Sequence, residues 1–251
     1  GDRLGIAPHS LRAATEEELH ALLVAHPTGP VHIHVAEQTR EVEDSIAFCG
    51  RRPVETLLDR IGLDARWCLI HATHITGAEC QGLAASGAVV GLCPVTEANL
   101  GDGLFPAVEF LALGGHIGIG TDSNVQITAA GELRLLEYGQ RLFHRQRNVM
   151  ARAGDSTGRH LVSATVAGGA QALGAPVPVI EPGAPADMIA LKDAVGLPPE
   201  GDRLLDRWVF GRDIAVADVW AAGAHLVHQG RHRDRVRVEQ DYNETLRKLL
   251  S

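Results

Sequence analysis

Three apolar segments of this sequence each end in side chains that bind metal ions or transfer protons. The residues are His34 near the end of 31–35 with Glu37 beyond it, His71 after 68–70, and Asp122 after 117–120. In a catalytic (β/α) barrel the active site lies at the carboxyl ends of successive strands, so this arrangement favours such a barrel. The residue types favour metal-assisted hydrolysis.

Apolar runs and amphipathic helices alternate over roughly the first half of the chain. Uninterrupted apolar strands separated by helices indicate a parallel sheet covered on both faces. Right-handed crossovers then bring every strand's carboxyl end to one side. The sequence therefore predicts an α/β fold, with strands at 4–7, 31–35, 68–72, 88–93 and 117–120.

Capping residues predict where the intervening helices begin. Thr15 precedes three glutamates, whose charges suit a helix N-terminus, and Pro53 suits the first helical position. Pro94 is interpreted as ending the fourth strand. A further helix is predicted to begin at Thr39, and others are predicted at 76–85, 104–113, 132–147 and 158–173. In the helix at 132–147, Leu133, Leu136 and Leu142 lie on one apolar stripe.

Beyond Gly174 the pattern changes to prolines and short β-like pieces at 188–191, 208–210, 218–220 and 225–227, then a short helix at 244–250. This favours a barrel portion over 1–175 and, over 176–251, part of a small appended β-sandwich with a terminal helix.

Composition limits the partners of the protein. A net charge of −8 argues against nucleic acid binding, because phosphate contacts need clustered cations. The alternating basic stretch 231–237 is interpreted as a solvated strand face. No apolar run is long enough to cross a membrane, and the four cysteines form no CxxC pair. We expect reduced thiols and a cytoplasmic location.

Two choices of ligand remain open in the sequence. His32 faces the same way as His34 by strand period, but His34 lies nearer the strand end and Glu37 follows it. His71 ends its strand, whereas His74 lies in the loop beyond. Asp122 has the alternative role of capping the next helix, although the flanking glycines suit a ligand better.

The motifs HVAEQ at 34–38, HATH at 71–74, CPVTEANLGDG at 93–103 and GTDS at 120–123 together resemble the amidohydrolase superfamily. Within it, APHSLRA at 7–13 and the segment 132–148 are similar to the formimidoylglutamate deiminase family. Val95 departs from the threonine expected at its position.

This resemblance implies a zinc-dependent (β/α)8 hydrolase that converts N-formimino-L-glutamate to N-formyl-L-glutamate and ammonia, in histidine degradation. One zinc, or another divalent metal, would be held by His34, Asp122 and a His-x-His pair. Glu37, His71 and Asp122 would be catalytic. His9 and Arg12 would bind the carboxylates of this small-molecule substrate. From the sequence alone, an equally good interpretation of Arg12 is that it forms an ion pair on the surface.

The His-x-His pair belongs to the first barrel strand of that family, and no such strand precedes His34. The resemblance thus implies that strands four to eight are present and that the N-terminal half of the barrel is a missing partner. We expect the chain alone to be inactive and the whole enzyme to be a homo-oligomer. The alternatives are a guanine, cytosine or triazine deaminase, or a non-catalytic fragment.

Overall fold

The structure is a computed structural model that describes residues 3–123, 126–193 and 201–250. The chain divides into two compact units, residues 1–177 and residues 178–251, which are described separately. None of the described helices is both long enough and apolar enough to cross a membrane.

A four-stranded parallel sheet organises the larger unit. Its strands are β1 (Val31–Val35), β2 (Trp67–His71), β3 (Val89–Leu92) and β4 (His116–Ile119), hydrogen-bonded in that order. Ile33, Leu69, Val90 and Ile117 stand in register across the sheet, and each is at most 1% exposed. This apolar row fixes the register of the strands, because a shift by one residue would turn it to the opposite face.

The strand predicted at 4–7 is wrong in extent. Only Ile6 pairs with β1, through a parallel bridge to Val31. Its N–H donates to the Pro30 carbonyl at 2.9 Å, and its carbonyl accepts from His32 N at 2.9 Å. Pro8 has no N–H to extend the ladder. The segment nevertheless brings residues 8–12 beside the carboxyl end of β1.

Helices α1 to α4 begin where the sequence predicts. Thr15 and Thr76 each form a capping box with the glutamate three residues on, Glu18 and Glu79. Pro53 occupies the first helical position of its helix. The bounds are α1 (Glu16–Ala25), α2 (Thr39–Cys49), α3 (Pro53–Thr56), which continues as a π-helical segment (Leu57–Ile61), and α4 (Gly77–Ser86).

Pro94 starts a helix, which corrects the interpretation that it only stops a strand. Proline is favoured at the first helical position because its missing N–H needs no partner there. The helices in this part are α5 (Pro94–Leu100), α6 (Ala107–Ala112), α7 (Ala129–His144) and α8 (Thr157–Ala172). On α7, Leu133 and Leu136 are buried as predicted, but Leu142 is 80% exposed and lies off that stripe.

The smaller unit contains one antiparallel sheet of four strands in chain order. Its elements are β5 (Met188–Asp193), α9 (Arg203–Phe210), β6 (Ile214–Ala221), β7 (Ala224–His228), β8 (Arg231–His232) and α10 (Arg235–Leu250). The strand predicted at 208–210 is helical instead. Leu204, Leu205, Trp208 and Val209 recur with helical spacing, and Val209 is fully buried. The terminal helix is also longer than predicted.

Candidate active site

His34 is held by the main chain of the segment that precedes β1. Its Nδ1 lies 2.8 Å from the His9 carbonyl oxygen, and its backbone N–H donates to the same oxygen at 3.0 Å. A carbonyl can only accept, so Nδ1 carries a proton, and in the neutral ring Nε2 keeps its lone pair. His34 is therefore in the tautomer that a metal ligand on Nε2 requires.

Glu37 is positioned through its backbone by a residue that the sequence analysis missed. Glu41, in the first turn of α2 and buried, accepts hydrogen bonds from Ala36 N at 3.0 Å and Glu37 N at 2.9 Å. Ala36 between His34 and Glu37 is left-handed, with φ of 49°. The signal for Glu41 was its place in the first helical turn beyond the strand, where a carboxylate meets free N–H groups.

His71 is completely buried at the end of β2 and faces three carboxylates. Its Nδ1 lies 3.2 Å from Glu97 Oε1. Its Nε2 lies 3.6 Å from Glu37 Oε1 and 3.8 Å from Asp122 Oδ2. Among the described residues this Nε2 has no hydrogen-bond partner. It is thus a buried polar atom directed at the pair of carboxylates that the sequence predicted to be catalytic.

Opposing effects act on the protonation of His71. Burial alone would lower its pKa, but the hydrogen bond to Glu97 and the charges of Glu97, Glu37 and Asp122 together raise it above the usual value. The carboxylates therefore favour the imidazolium over the neutral ring.

Glu97 is the second functional candidate that the sequence analysis missed. It is 5% exposed, and Oε1 accepts a hydrogen bond from Cys93 N at 2.8 Å besides facing His71. Its position depends on α5, the helix begun by Pro94. The sequence signal was a proline at a first helical position with a glutamate three residues on, whereas Pro94 was interpreted as ending the fourth strand.

The backbone at the three strand ends is unusual. Of the eight non-glycine residues with positive φ in the described chain, four are Ala36, His71, Ala72 and Asp122. Such conformations cost of order 1–3 kcal/mol each and persist only where the surroundings enforce them. Here hydrogen bonds do so, because Ala72 N donates to Val35 O at 3.0 Å and His74 N donates to Ala36 O at 3.0 Å.

Arg12 and His9 lie beside this group. Arg12 donates to Glu37 Oε2 at 3.3 Å and lies 3.9 Å from Glu41 Oε2, with its side chain 42% exposed. The His9 ring is 5.0 Å from the His34 ring and its Nδ1 is 2.9 Å from Ser10 Oγ. A guanidinium and an imidazole therefore border the acidic group on one side.

The two competing histidines lie elsewhere. His32 Nε2 is 2.7 Å from the Ala172 carbonyl at the end of α8, so that ring nitrogen has a main-chain partner. His74 directs its ring towards Gly103, whose added Cβ would lie 3.3 Å from His74 Cε1. Of the histidines, His71 makes the side-chain contacts with Glu37, Glu97 and Asp122 described above, and the rings of His32 and His74 take no part in them.

The residues present match part of a zinc site. His34 Nε2 is available, and the Asp122 carboxylate ends the β4 loop, giving the nitrogen and oxygen donors that zinc takes. A catalytic zinc site uses three protein ligands. In the described part of the chain these residues do not form a group of three converging donors.

Comparisons with known proteins agree on the family to which the chain is similar. The profile of the amidohydrolase family matches residues 2–225. Formimidoylglutamate deiminase of Pseudomonas aeruginosa is 49% identical over all of this chain and 56% of its own length. The crystal structure of an amidohydrolase from Brucella melitensis is 52% identical with a TM-score of 0.95, and the match covers 99% of this chain and 55% of that one.

A further solved structure is an adenosine deaminase from Xanthomonas campestris with bound zinc. It is 25% identical with a TM-score of 0.81, over 96% of this chain and 57% of that chain. The chain thus spans little more than half the length of each of these three proteins.

Proposed function

Because the chain belongs to the amidohydrolase family, we propose that the protein containing it hydrolyses N-formimino-L-glutamate to N-formyl-L-glutamate and ammonia. The observation that carries this is the convergence of Glu37 and Asp122 on the buried Nε2 of His71. The choice of substrate rests on the 49% identity to a formimidoylglutamate deiminase.

In this proposal His34 Nε2 and Asp122 would hold a zinc ion together with a His-x-His pair contributed by the other half of the barrel. Zinc, when bound, supplies activation of water at neutral pH. Asp122 has a second task, since its carboxylate also faces His71 and can orient the water.

Glu37 transfers the protons of the reaction. Water adds through oxygen to the formimino carbon, and Glu37 passes one water proton to the imino nitrogen. Glu37 then takes the second proton from the hydroxyl of the adduct and passes it to the same nitrogen, so that the carbonyl of the formyl group forms. The C–N bond then breaks and ammonia leaves. A carboxylate suits this task when its position is fixed, and Glu41 fixes the Glu37 backbone.

His71 stabilises the charge that develops on the attacked carbon's substituents. Its Nδ1 faces Glu97, and its Nε2 has no competing partner among the described residues, so an Nε2–H can be donated to the reacting atoms. A preorganised, buried donor is effective because it needs no reorganisation during the reaction.

Arg12, with His9, binds a carboxylate of the glutamate moiety. Arg12 now contacts Glu37 at 3.3 Å, and its 42% exposure leaves the remaining guanidinium N–H groups accessible. Guanidinium groups bind carboxylates bidentately. The contact with Glu37 also links substrate binding to the proton-transferring residue.

The test is ammonia release by the zinc-loaded complete protein. N-Formimino-L-glutamate is compared with adenosine and with guanine, cytosine and a triazine, because a zinc-containing adenosine deaminase shares the fold. We expect turnover of the formimino compound alone. Turnover of a ring substrate with none of the formimino compound would establish the ring deaminase as the function instead.

The 251-residue chain by itself should release no ammonia and should hold zinc only weakly at His34 and Asp122. Two donors are fewer than the three of a catalytic site. Among the described residues, the outer side of β1 is met by the bridge from Ile6 and by the His9 carbonyl, which accepts from His34 N, and incompletely paired sheet edges tend to pair. We propose that the other half of the barrel, or a second copy of the chain, pairs with this edge of the sheet.

A further inference from the structure

Asp218, His225 and His228 form a compact cluster on the β6–β7 hairpin of the smaller unit. Asp218 Oδ1 accepts from His225 Nε2 at 2.8 Å and from His228 Nδ1 at 2.9 Å. One ligand atom from each residue can be chosen so that all lie within 4.8 Å of one another. None of these residues belongs to the candidate active site.

The hairpin holds the three side chains in place. Ala221 pairs with Ala224, so the turn has two central residues, Ala222 and Gly223, with φ of 48° and 79°. Positive φ at both positions is characteristic of the tight turn that fixes hairpin register. The donors therefore stand on paired strands, which hold a site more firmly than loops do.

The imidazole of His225 is also oriented by a neighbour. Trp220 stands opposite it in the strand pair, and the two rings stack with centroids 4.6 Å apart and planes 12° from parallel. The His228 ring meets the His225 ring edge-on at 5.3 Å. Stacking leaves His225 Nε2 directed along the sheet surface at Asp218.

We propose that Asp218, His225 and His228 form a second binding site, which takes a divalent transition metal of the zinc, nickel or copper class. Two imidazoles and one carboxylate suit these metals, whereas calcium and magnesium prefer oxygen ligands. The cation would join β6 to β7, and water would complete its coordination.

The geometry needs little adjustment to accept the ion. Tetrahedral zinc with ligand bonds of about 2.0–2.2 Å separates its donors by roughly 3.3–3.5 Å. The present Asp218–His225 and Asp218–His228 separations of 2.8 and 2.9 Å are hydrogen bonds, and opening them by about half an ångström gives these two pairs the donor separation of a zinc site. Each neutral imidazole would move its proton to the other ring nitrogen, so binding needs no net change of charge on the ligands.

Access to the site is direct. The His228 side chain is 69% exposed, that of His225 is 38% exposed and that of Asp218 is 21% exposed. Because the three side chains are exposed to this degree, exchangeable water can reach an open coordination position on the proposed ion. The alternative is that Asp218 and the two histidines are only an ion-paired cluster on the sheet surface.

The experiment is calorimetric titration of the chelator-treated full protein with zinc chloride, for the unaltered chain and the variants His225→Gln and His228→Gln. His232→Gln is the matched control, because His232 is an exposed histidine on neighbouring β8 outside the cluster. We expect the unaltered protein and the control to bind one more zinc per chain than either cluster variant, or to bind it at least tenfold more tightly.

Thermal unfolding with and without zinc provides the second readout. Zinc should raise the Tm of the unaltered protein and the control more than that of the cluster variants. A simple ion pair would lower the metal-free Tm of those variants and leave the zinc-dependent shift unchanged. Equal zinc binding and equal shifts in all four proteins would overturn the proposal, whatever their deiminase activity. His228→Gln, at the most exposed position, guards against loss of folding in His225→Gln.

Discussion

Glu97 Oε1 lies 3.2 Å from His71 Nδ1, so a buried carboxylate on α5 fixes the ring at the end of β2. The same oxygen accepts from Cys93 N at 2.8 Å, which holds the carboxylate in place. Because Nδ1 is occupied by Glu97, only Nε2 of His71 is directed towards Glu37 and Asp122. The orientation of a candidate catalytic group thus depends on a helix begun by proline.

Glu97→Gln should reduce kcat/KM for N-formimino-L-glutamate by about 10–100-fold, since a hydrogen bond to a charged group contributes ~1.5–3 kcal/mol. The fall should lie mainly in kcat, and the ¹⁵N shifts of the His71 ring should change. Glu109→Gln on α6, where the carboxylate is half-exposed, is the control. Unchanged kinetics and shifts in Glu97→Gln would exclude a positioning role.

The sequence located the strand ends but not the groups that support them. β1 was predicted at 31–35, as found, because alternating valine, isoleucine and histidine bounded by proline left few alternatives. Glu41 and Glu97 were missed because their backbone partners, four or five residues upstream, are recognised only once the start of the helix is placed correctly. Pro94 was ambiguous for a local reason, since proline both ends strands and begins helices.

The use of short local patterns also explains why a strand was wrongly predicted at 208–210, where the structure has a helix. Three apolar residues taken alone resemble a strand, whereas the helical spacing appears only when Leu204 and Leu205 are included. A local sequence pattern also cannot establish roles that depend on partners outside the chain. The substrate-binding roles of Arg12 and His9 and the ligand roles of His34 and Asp122 therefore stay predictions.

Glu37→Gln in the complete enzyme should abolish turnover while leaving zinc bound. An amide cannot take the proton from water, and general acid–base groups contribute typically about 10²–10⁴-fold. The measurements are ammonia release and zinc content on the same sample. Near-normal turnover in a folded, zinc-loaded variant would remove Glu37 from the mechanism, and loss of zinc would reassign it as a ligand.

Arg12→Met should raise KM for N-formimino-L-glutamate by roughly 10–100-fold, because the substrate carboxylate loses a charged hydrogen bond of about 1.5–3 kcal/mol. A smaller effect on kcat is expected, since Glu37 loses its contact with the guanidinium. Arg40→Met is the control, because Arg40 is 86% exposed and pairs only with Asp44 on the surface of α2 in the described ion pairs. An unchanged KM would assign the carboxylate to another residue.

Thiol reactivity should separate Cys49 from the three buried cysteines. Cys49 is exposed, whereas burial raises the pKa of Cys68 to about 12 and also raises that of Cys80. At pH 8 a chromogenic disulfide reagent should therefore label Cys49 rapidly in the folded protein, and Cys49→Ser should remove this rapid phase. Rapid labelling of the Cys49→Ser variant at Cys68 or Cys80 would contradict the burial.

The raised thiol pKa values also set the sign of a pH effect. The folded protein keeps its buried thiols protonated where the unfolded chain, with a thiol pKa of about 8.5, releases the protons. The free energy of unfolding should therefore fall as the pH rises above ~8.5. Denaturant titrations of the unaltered chain and Cys68→Ala at pH 7.5 and 9.5 measure this, and the pH-dependent loss should be smaller in Cys68→Ala.

The approach of α8 to β4 depends on Gly168. A Cβ at this position would lie 2.1 Å from the carbonyl oxygen of Ile117, a backbone atom that cannot move without displacing the strand. Gly168→Ala should therefore lower the free energy of unfolding by about 1–3 kcal/mol, as overpacking in a core does, or by more.

Gly169→Ala is the matched control on the same helix. Its added Cβ meets nothing within 4 Å, and alanine is favoured over glycine in a helix by roughly 0.5–1 kcal/mol. This neighbouring substitution should be neutral or stabilising. Denaturant unfolding of both variants measures the difference, and equal stability of the two would mean that α8 does not lie against β4 through Gly168.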